Sequence, residues 1–220
     1  MGVGNGPKIE GFDSLFGSVD AANLRSVSGS NIVNTVTGNT ASATGITIIN
    51  NSGASSISFL GAGIITSFSN TNITGANSRT LAAWVRFSSK AIQAVMSVGA
   101  NGAGTGFGLE TSSTVWNLSI GNSGTATTLT YDTNTWYHVA YVGEFLTSNS
   151  ITSKLYINGV LRYSAATASI NTTNSPFYLG TNPARTLRLN GFISQARVYK
   201  KALSDREIFK NYEAFKGRYN

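Results

Sequence analysis

The sequence contains no cysteine among its 220 residues, and charged residues make up only 11% of it. Without cysteine neither a disulfide framework nor a thiolate metal site can form, so the fold must be stabilised by burial of apolar side chains. Long solvent-facing helices usually carry exposed Glu, Lys and Arg, and the shortage of these residues argues against them. Ser, Thr, Asn and Gly supply 99 of the 220 positions, which favours strands joined by turns.

Long hydrophobic runs are also missing. No stretch approaches the ~18 uninterrupted apolar residues of a membrane-spanning helix, and the first ten residues, MGVGNGPKIE, lack the apolar segment of a signal peptide. We therefore expect no membrane partner and synthesis in the cytoplasm without a signal peptide. The length is typical of one large β-sandwich. The sequence predicts a Gly-rich N-terminal arm over 1–11 and a single domain over 12–220.

Alternation of apolar and other residues is the main structural signal. In TLAAWVRF (80–87), Leu81, Ala83, Val85 and Phe87 share one face and Trp84 lies on the other, which predicts a strand. Similar runs predict strands over 91–98, 106–110, 115–120, 126–131, 136–144, 153–158, 160–163, 176–180 and 191–199, with weaker ones over 46–49, 57–60 and 63–68. So many strands without helices between them predict two antiparallel sheets packed face to face.

Two local motifs make more specific predictions than the alternation of apolar residues. Asn158-Gly159 lies between apolar runs and predicts a hairpin with a type I′ turn. Ser204 followed by Glu207 forms a capping box, and Leu203 with Ile208 forms a hydrophobic staple, so a helix is predicted over about 204–216. Its apolar stripe should pack on the sandwich. The expected fold is therefore an all-β, two-sheet jelly-roll sandwich with a short C-terminal helix.

Positive charge is concentrated at the C-terminal end: residues 185–220 hold nine of the sixteen Lys and Arg. This segment is either a solvated helix face or a docking surface for an acidic protein partner or for nucleic acid. No zinc-finger, helix-turn-helix or RNP motif accompanies the charge, so we expect no nucleic-acid partner. The candidate partner-binding residues are Arg206, Lys210, Lys216 and Arg218.

Catalytic and metal-binding patterns are scarce. His138 is the single histidine and lies inside a predicted strand, where a packed structural role is expected. The nine acids are dispersed, and the Gly-rich segment 101–108 lacks the helix and Lys-Ser/Thr pair of a nucleotide loop. We therefore predict no enzyme activity, no catalytic residue and no bound cofactor or metal.

Five segments in order resemble the laminin-G-like branch of the concanavalin A-like lectin and glucanase superfamily. They are TLAAWVRF (80–87), TWYHVAYV (135–142), SKLYINGVL (153–161), FYLG (177–180) and LNGFISQARVYKKALSDREI (189–208). The resemblance implies a concanavalin A-like sandwich, in which Trp84 and Trp136 are packing residues. The paired carboxylates of the superfamily's glucanases are absent here.

The two ends carry a finer resemblance. SVDAANLRSV (18–27) and NYEAFKGRY (211–219) are similar to the opening and closing of laminin-G-like domains in tailed-phage structural proteins. This resemblance implies a virion protein, displayed in multiple copies or as a homo-oligomer on the particle surface and made in the host cytoplasm. Its expected role is capsid decoration by adhesion to other virion proteins, of capsid or appendage.

The alternative function is a carbohydrate-binding module of a fibre or appendage, which recognises host surface glycans. Sugar binding often uses exposed aromatic rings, and the candidates for such a platform are Tyr131, Tyr178 and Tyr199. Trp116 shares a face with Leu118 and is expected to be buried. The superfamily also allows Ca²⁺, for which the candidate ligands are Asp20, Asp132 and Glu144.

Overall fold

The computed structural model describes residues 8–23, 25–28, 31–50, 54–60, 63–66 and 68–219. Within them the chain forms seventeen strands and one α-helix. The strands are β1 (Leu15–Asp20), β2 (Val27–Ser28), β3 (Asn31–Val33), β4 (Thr40–Thr44), β5 (Thr47–Ile49), β6 (Ser56–Ser58), β7 (Ile64–Thr66), β8 (Arg79–Phe87), β9 (Gln93–Gly99), β10 (Gly106–Ser112), β11 (Val115–Ile120), β12 (Ser123–Thr130), β13 (Trp136–Thr147), β14 (Ser150–Ile157), β15 (Val160–Ala168), β16 (Phe177–Leu179) and β17 (Gly191–Tyr199). The helix α1 is Asp205–Glu213, and a 3₁₀ turn follows at Lys216–Arg218.

Two antiparallel sheets contain these strands. Sheet I has the order β15-β14-β13-β8-β17-β6-β5, and β1 also pairs with β17. Sheet II has the order β12-β11-β10-β9-β16-β7-β4-β3-β2. Neighbours in space are often distant in sequence, as where β8 pairs with β17. The predicted sandwich with a C-terminal helix is confirmed.

The main core lies between the sheets, and every second residue of a strand contributes its side chain to it. Leu81, Ala83, Val85 and Phe87 of β8 are buried in this core, as predicted. The other face of β8 carries Trp84, which is covered by the helix and the C-terminal residues. Sheet I is therefore buried on both faces where α1 lies over it, which explains why β8 and β17 are almost entirely buried.

The predicted helix begins where the capping box placed it. The Ser204 side chain accepts a hydrogen bond from the backbone N–H of Glu207, and the Glu207 carboxylate accepts one from the Ser204 backbone. Leu203 and Ile208 are both buried in a second apolar cluster between α1 and sheet I. The α-helix ends at Glu213, three residues before the predicted end. None of the described helices is long and apolar enough to cross a membrane.

The hairpin between β14 and β15 has the predicted turn. Asn158 and Gly159 have φ values of 51° and 80°, as a type I′ turn requires. The Asn158 side-chain oxygen also accepts a hydrogen bond from the backbone N–H of His138 at 2.9 Å. This contact ties the turn to the neighbouring strand β13.

The first third of the domain contains more strands than the sequence predicted. β1 shows an alternation of buried and half-buried residues, with Gly17 and Val19 facing the main core. Leu15, before an irregularity in the pairing with β17, is instead buried in the second cluster beneath α1. Gly17 interrupts the apolar pattern because its missing side chain makes room for Phe177, which an added Cβ would approach to 2.8 Å. β2, β3 and β4 are short and polar, which leaves little apolar periodicity to detect.

Part of the predicted N-terminal arm is described and packs on the helix. The Glu10 backbone N–H donates to Asn211 at 2.7 Å, and Lys210 forms an ion pair with the Glu10 carboxylate at 2.8 Å. Ile9 is half-buried against the second cluster. Residues 1–7 of the arm lie outside the described residues.

Candidate functional site

A trough with a floor of small side chains crosses the outer face of sheet II. Tyr178, Ser97, Gly108, Ser119 and Gly124 are successive cross-strand partners on β16, β9, β10, β11 and β12. Residues that alternate with them fill the core instead. Four members of this row are Ser or Gly, so the sheet surface is low along the row. Ser97 is covered, because its hydroxyl donates to the Thr181 carbonyl at 3.1 Å, whereas Ser119 and Gly124 line a hollow.

Glu110 and Asn117 are cross-strand partners beside this floor. The Asn117 amide nitrogen donates to Glu110 Oε2 at 3.3 Å. Two glycines make room for the pair: an added Cβ at Gly108 would lie 3.2 Å from Glu110 Oε1, and one at Gly124 would overlap the Asn117 amide. The small residues of the trough therefore position a carboxyl group and an amide at its base.

Glu110 is a buried acid without a cationic partner. Its side chain is nearly covered, with 6% of the residue exposed, and none of the ion pairs among the described residues includes it. Burial raises the pKa of Glu110 above its ordinary value, and hydrogen bonding from Ser119 and Asn117 offsets only part of this rise. The carboxyl group therefore has hydrogen-bonding capacity that the protein leaves unused.

Loops close the ends of the trough into a hollow of about 360 Å³. Its lining is almost wholly polar or small: Asn101, Glu110, Ser119, Gly121, Asn122, Ser123, Gly124, Asn182, Ala184, Thr186 and Leu187. Asn182 stabilises one loop, because its side-chain oxygen accepts hydrogen bonds from the backbone N–H groups of Thr186 and Leu187 at 2.9 and 3.0 Å. On the opposite side, Gly121 adopts φ +61° where a Cβ would collide with the Gly102 carbonyl.

This arrangement suits binding of a polyhydroxylated ligand. A carboxylate and several amides accept and donate hydrogen bonds to hydroxyl groups in fixed directions. Hydrolysis of a glycosidic bond by the usual route needs a second carboxyl group about 5–10 Å away. Among the described residues that line the hollow, Glu110 is the one acid.

The four predicted partner-binding residues lie together around α1, but most of them are engaged within the chain. Lys210 pairs with Glu10, Lys216 pairs with Glu213 and Arg218 pairs with Asp20, at 2.8, 2.7 and 3.0 Å respectively. Arg206 is exposed. Neutralisation by these acids weakens the positive field that the sequence indicated.

The predicted aromatic platform is wrong for two of its three members. Tyr131 and Tyr199 are 1% and 0% exposed, because Tyr131 fills the main core and Tyr199 lies beneath α1. Tyr178 is half-buried at the edge of the trough. Trp84 and Trp116 are buried as predicted, while Trp136 is half-buried and packs against Tyr219.

The calcium candidates do not converge. Asp20 is held by Arg218 and by the Gln195 amide, and Glu144 pairs with Lys154. In the described part of the chain no three His, Cys, Asp or Glu residues are grouped as metal ligands. His138 is buried in its strand, as predicted, and burial lowers its pKa to about 3.

Glu110 and Asn117 were missed as site residues by sequence reasoning. In GFGLETS (106–112), Phe107 and Leu109 face inward, and the opposite face carries two glycines and Glu110. An acid beside glycines on the polar face of a strand is a detectable signal. It gains meaning only when the same face of β11 is known to lie beside it.

Comparison with known proteins agrees with this architecture. A model of the concanavalin A-like lectin/glucanases superfamily, of the laminin G-like type, matches residues 60–209. The chain belongs to this superfamily. The match begins before β8 and ends within α1, so it includes every strand that lines the trough. A search of curated protein sequences found no match.

Several solved structures share the superfamily fold at low sequence identity. Domain 4 of the extracellular arabinanase AbnA from Geobacillus stearothermophilus, in complex with arabinotriose, has a TM-score of 0.68 and 16% identity, covering 90% of this chain and 98% of that domain. A Trypanosoma rangeli sialidase mutant with trans-sialidase activity gives 0.66 and 15%, over 94% of this chain and 34% of the sialidase.

A third similar structure is from botulinum neurotoxin type C, whose cell entry depends on interaction with two ganglioside molecules. Its TM-score is 0.65 at 18% identity, over 92% of this chain and 51% of the neurotoxin chain. This chain therefore corresponds to about a third of the sialidase and half of the neurotoxin chain. At these identities the similarity shows the fold alone.

Proposed function

We propose that the chain is a non-catalytic carbohydrate-binding domain that holds a short oligosaccharide in the trough of sheet II. The observation that carries this proposal is Glu110, a buried carboxyl without a cationic partner at the base of a polar hollow. Sugar hydroxyl groups donate to such a carboxyl, and charge-assisted hydrogen bonds of this kind contribute about 1.5–3 kcal/mol each. Binding would thus satisfy a group that the folded chain leaves partly unsatisfied.

The neighbouring amides support the same assignment. Asn117 orients the Glu110 carboxyl, while Asn101, Asn122 and Asn182 line the hollow. Amide side chains both donate and accept, which matches adjacent hydroxyl groups on a sugar ring. Two of the similar folds come from proteins described with arabinotriose and with gangliosides, and this supports glycans as the ligand class.

The experiment is a glycan array followed by isothermal titration calorimetry with any oligosaccharide that binds. Glu110→Ala should weaken binding at least about tenfold, the loss expected for one charge-assisted hydrogen bond. The matched control is Glu144→Ala, which removes an exposed acid of sheet I. An array without hits, or equal affinity of wild type and Glu110→Ala, would remove the proposal.

A second proposal concerns the setting in which the domain acts. We propose that it is a virion component of a tailed phage, displayed in many copies and attached to other virion proteins. Its support is the resemblance of segments 18–27 and 211–219 to phage domains, together with their position in space. Asp20 of the first segment and Arg218 of the second form an ion pair at 3.0 Å, so the two resembling segments form one structural unit.

In this setting the exposed Arg206 is the proposed docking residue on α1, with Lys210, Lys216 and Arg218 around it. Mass spectrometry of purified particles from the source tests the setting directly, because a structural component must be present at a constant ratio to the capsid protein. Arg206→Glu should then reduce the copies per particle. Particles without the chain would contradict this proposal and leave the glycan proposal intact.

A further inference from the structure

The hollow of sheet II carries charge of one sign. Glu110 lies at its base, and the described residues that line it include no Lys, Arg or His. Arg185 belongs to the loop that contributes Ala184 and Thr186 to the lining, but Arg185 is exposed to solvent, where its charge is screened. An ionised Glu110 therefore gives the base of the hollow a negative charge that the lining does not neutralise.

Hydrogen-bond donors are scarce around this carboxylate. The Asn117 amide donates to Oε2 at 3.3 Å, which is longer than the usual distance of about 2.9–3.0 Å. Ser119 has one hydroxyl proton for two acceptors, the Glu110 carboxylate and the Gly121 carbonyl at 3.1 Å. Gly108, beside Oε1, has no side chain that could donate. These neighbours therefore supply fewer donors than a carboxylate accepts.

The loop that contains Asn182 does not make up this shortage. The Asn182 amide nitrogen donates to the Thr186 hydroxyl at 3.1 Å, and its oxygen accepts from the backbone N–H groups of Thr186 and Leu187. The polar atoms of Asn182 are thus used within the loop. Ala184 and Leu187, which also line the hollow, have apolar side chains. A ligand at the base of the hollow must therefore bring its own donors.

Exposure decreases from the rim of the hollow to its base. Asn101, Asn122 and Ser123 at the rim are exposed, whereas Glu110 and Ser119 are 6% and 5% exposed. The rim offers amides and a hydroxyl to the hydroxyl groups of a sugar ring, and the base admits one small group. A primary ammonium brings three donors and a positive charge. Its hydrogen bonds to a carboxylate are charged on both sides, which makes them stronger than those of a neutral hydroxyl.

From these observations we infer that the hollow selects glycans with a free amino group, whose ammonium pairs with the Glu110 carboxylate while ring hydroxyl groups contact the rim. This inference rests on the proposed carbohydrate-binding function and adds the class of ligand. N-acetylation of the sugar removes the charge and leaves one N–H donor, so it should weaken binding.

Acidic sugars should be rejected by the same site. A sugar carboxylate would place a second negative charge beside Glu110, and like charges brought together at a contact are unfavourable. The net charge of +7 on the chain attracts acidic ligands over longer distances. Their exclusion from the hollow therefore depends on Glu110 itself.

The first test is isothermal titration calorimetry at about pH 6.5, where primary amines are protonated. The probes are glucosamine and galactosamine oligosaccharides with free amines, their N-acetylated forms, the matching glucose and galactose oligomers, and glucuronic acid oligomers. At least one free-amine form should bind at least about tenfold more tightly than both of its neutral counterparts. Glu110→Gln should reduce this preference to less than about twofold, and the control Glu144→Gln should keep it.

The second test supplies a cation from the chain. Ser123→Lys places an ammonium at the rim of the hollow and should weaken binding of the free-amine form at least about tenfold by repulsion. Ser123→Gln, which is long and uncharged, is the matched control and should keep the preference for the free amine. Trilysine carries the same ammonium group without a sugar, and it should bind at least about tenfold more weakly than the amino sugar.

The outcomes separate this inference from the proposed function. Neutral glycans that bind as tightly as the free-amine forms, with a loss of affinity in Glu110→Ala, would overturn the inference and leave carbohydrate binding in the hollow intact. Tighter binding of glucuronic acid oligomers or of trilysine would also overturn it. A wild-type chain that binds none of the glycans, on the array or in solution, would remove both proposals.

Discussion

Arg218, near the C-terminus, donates to the carboxylate of Asp20 at the end of β1, with Nη1 3.0 Å from Oδ2. Asp20 also accepts a hydrogen bond from the Gln195 amide of β17 at 2.7 Å. The C-terminal segment and β17 are therefore both hydrogen-bonded to Asp20 of β1. This connection holds the C-terminal residues over the aromatic side chains on the outer face of that sheet.

Tyr219 should contribute to stability through its contacts with the outer face of sheet I. Its ring stacks on Trp84 with centroids 3.9 Å apart, and its hydroxyl donates to Ser194 at 2.8 Å. Tyr219→Ala should lower the free energy of unfolding by about 2 kcal/mol and shift tryptophan fluorescence to longer wavelength. Tyr219→Phe keeps the stacking and should cost only about 1 kcal/mol. Equal losses in the two variants would show that the ring contact is unimportant.

His138 should make stability depend on pH. Its pKa is lowered from 6.5 to about 3, first by burial and second by the positive charge of Arg197. Below pH 6.5 the unfolded chain therefore binds a proton at His138, whereas the folded chain does not. The free energy of unfolding is highest above pH 6.5 and decreases as the pH falls towards 3. The expected slope approaches 1.4 kcal/mol per pH unit.

Urea denaturation at pH 7, 6 and 5 measures this slope before most carboxyl groups titrate. The control is His138→Phe, which fills the same position between Trp84 and Tyr212 with a ring that does not titrate. Its stability should change little over this range. An equally steep pH dependence in the variant would assign the effect to other groups.

Glu110 should lower the stability of the domain at pH 7, although it is the proposed ligand-binding residue. Burial raises the pKa of Glu110 above 4.5, so the folded chain holds this proton more tightly than the unfolded chain does. The stabilisation that results is complete below pH 4.5 and is lost as the pH rises through the raised pKa. Glu110→Gln should therefore stabilise the domain at pH 7 by about 1 kcal/mol, the scale of desolvating one polar group, and its advantage should disappear below pH 4. Denaturation curves at the two pH values measure both effects, and a destabilised Gln variant at pH 7 would contradict the account.

Gly108 should control the depth of the trough. An added Cβ would lie 3.2 Å from Glu110 Oε1 and 3.5 Å from Ser97 and Ser119, distances that small side-chain shifts can accommodate. Gly108→Ala should keep the melting temperature within a few degrees but weaken oligosaccharide binding about tenfold. Gly217→Ala is the control, because its Cβ would meet nothing within 4 Å. Unchanged affinity would show that the ligand does not reach the floor.

Gly159 should be required for both turn geometry and helix packing. Its φ is +80°, and an added Cβ would lie 3.0 Å from the Tyr212 ring and 3.2 Å from Phe209. Gly159→Ala should cost about 2–3 kcal/mol, more than backbone strain alone. Gly38→Ala separates the two causes, since Gly38 has φ +74° with open space around it. If both variants lose the same stability, the contact with α1 has no role.

Local features of the sequence were sufficient for much of the fold. The strand β8, the Asn158-Gly159 turn and the Ser204 cap depend on neighbours within a few residues, so their patterns could be read directly. β1 was missed because Gly17 and Ser18 break the apolar pattern, and because Leu15 and Val19 pack on opposite faces of sheet I. Its inward Gly17 is explained only by Phe177, which lies 160 positions later in the sequence.

The candidate site required the tertiary structure. β8 and β10 both carry aromatic or polar residues on the face turned away from the main core: Trp84 on one and Glu110 on the other. The sequence determined this alternation, because side chains of a strand point to opposite faces in turn. Packing decided the rest: α1 and Tyr219 cover Trp84, whereas Glu110, itself almost covered, lies at the base of a hollow on sheet II. Contacts with segments distant in the sequence cannot be predicted from a two-residue period.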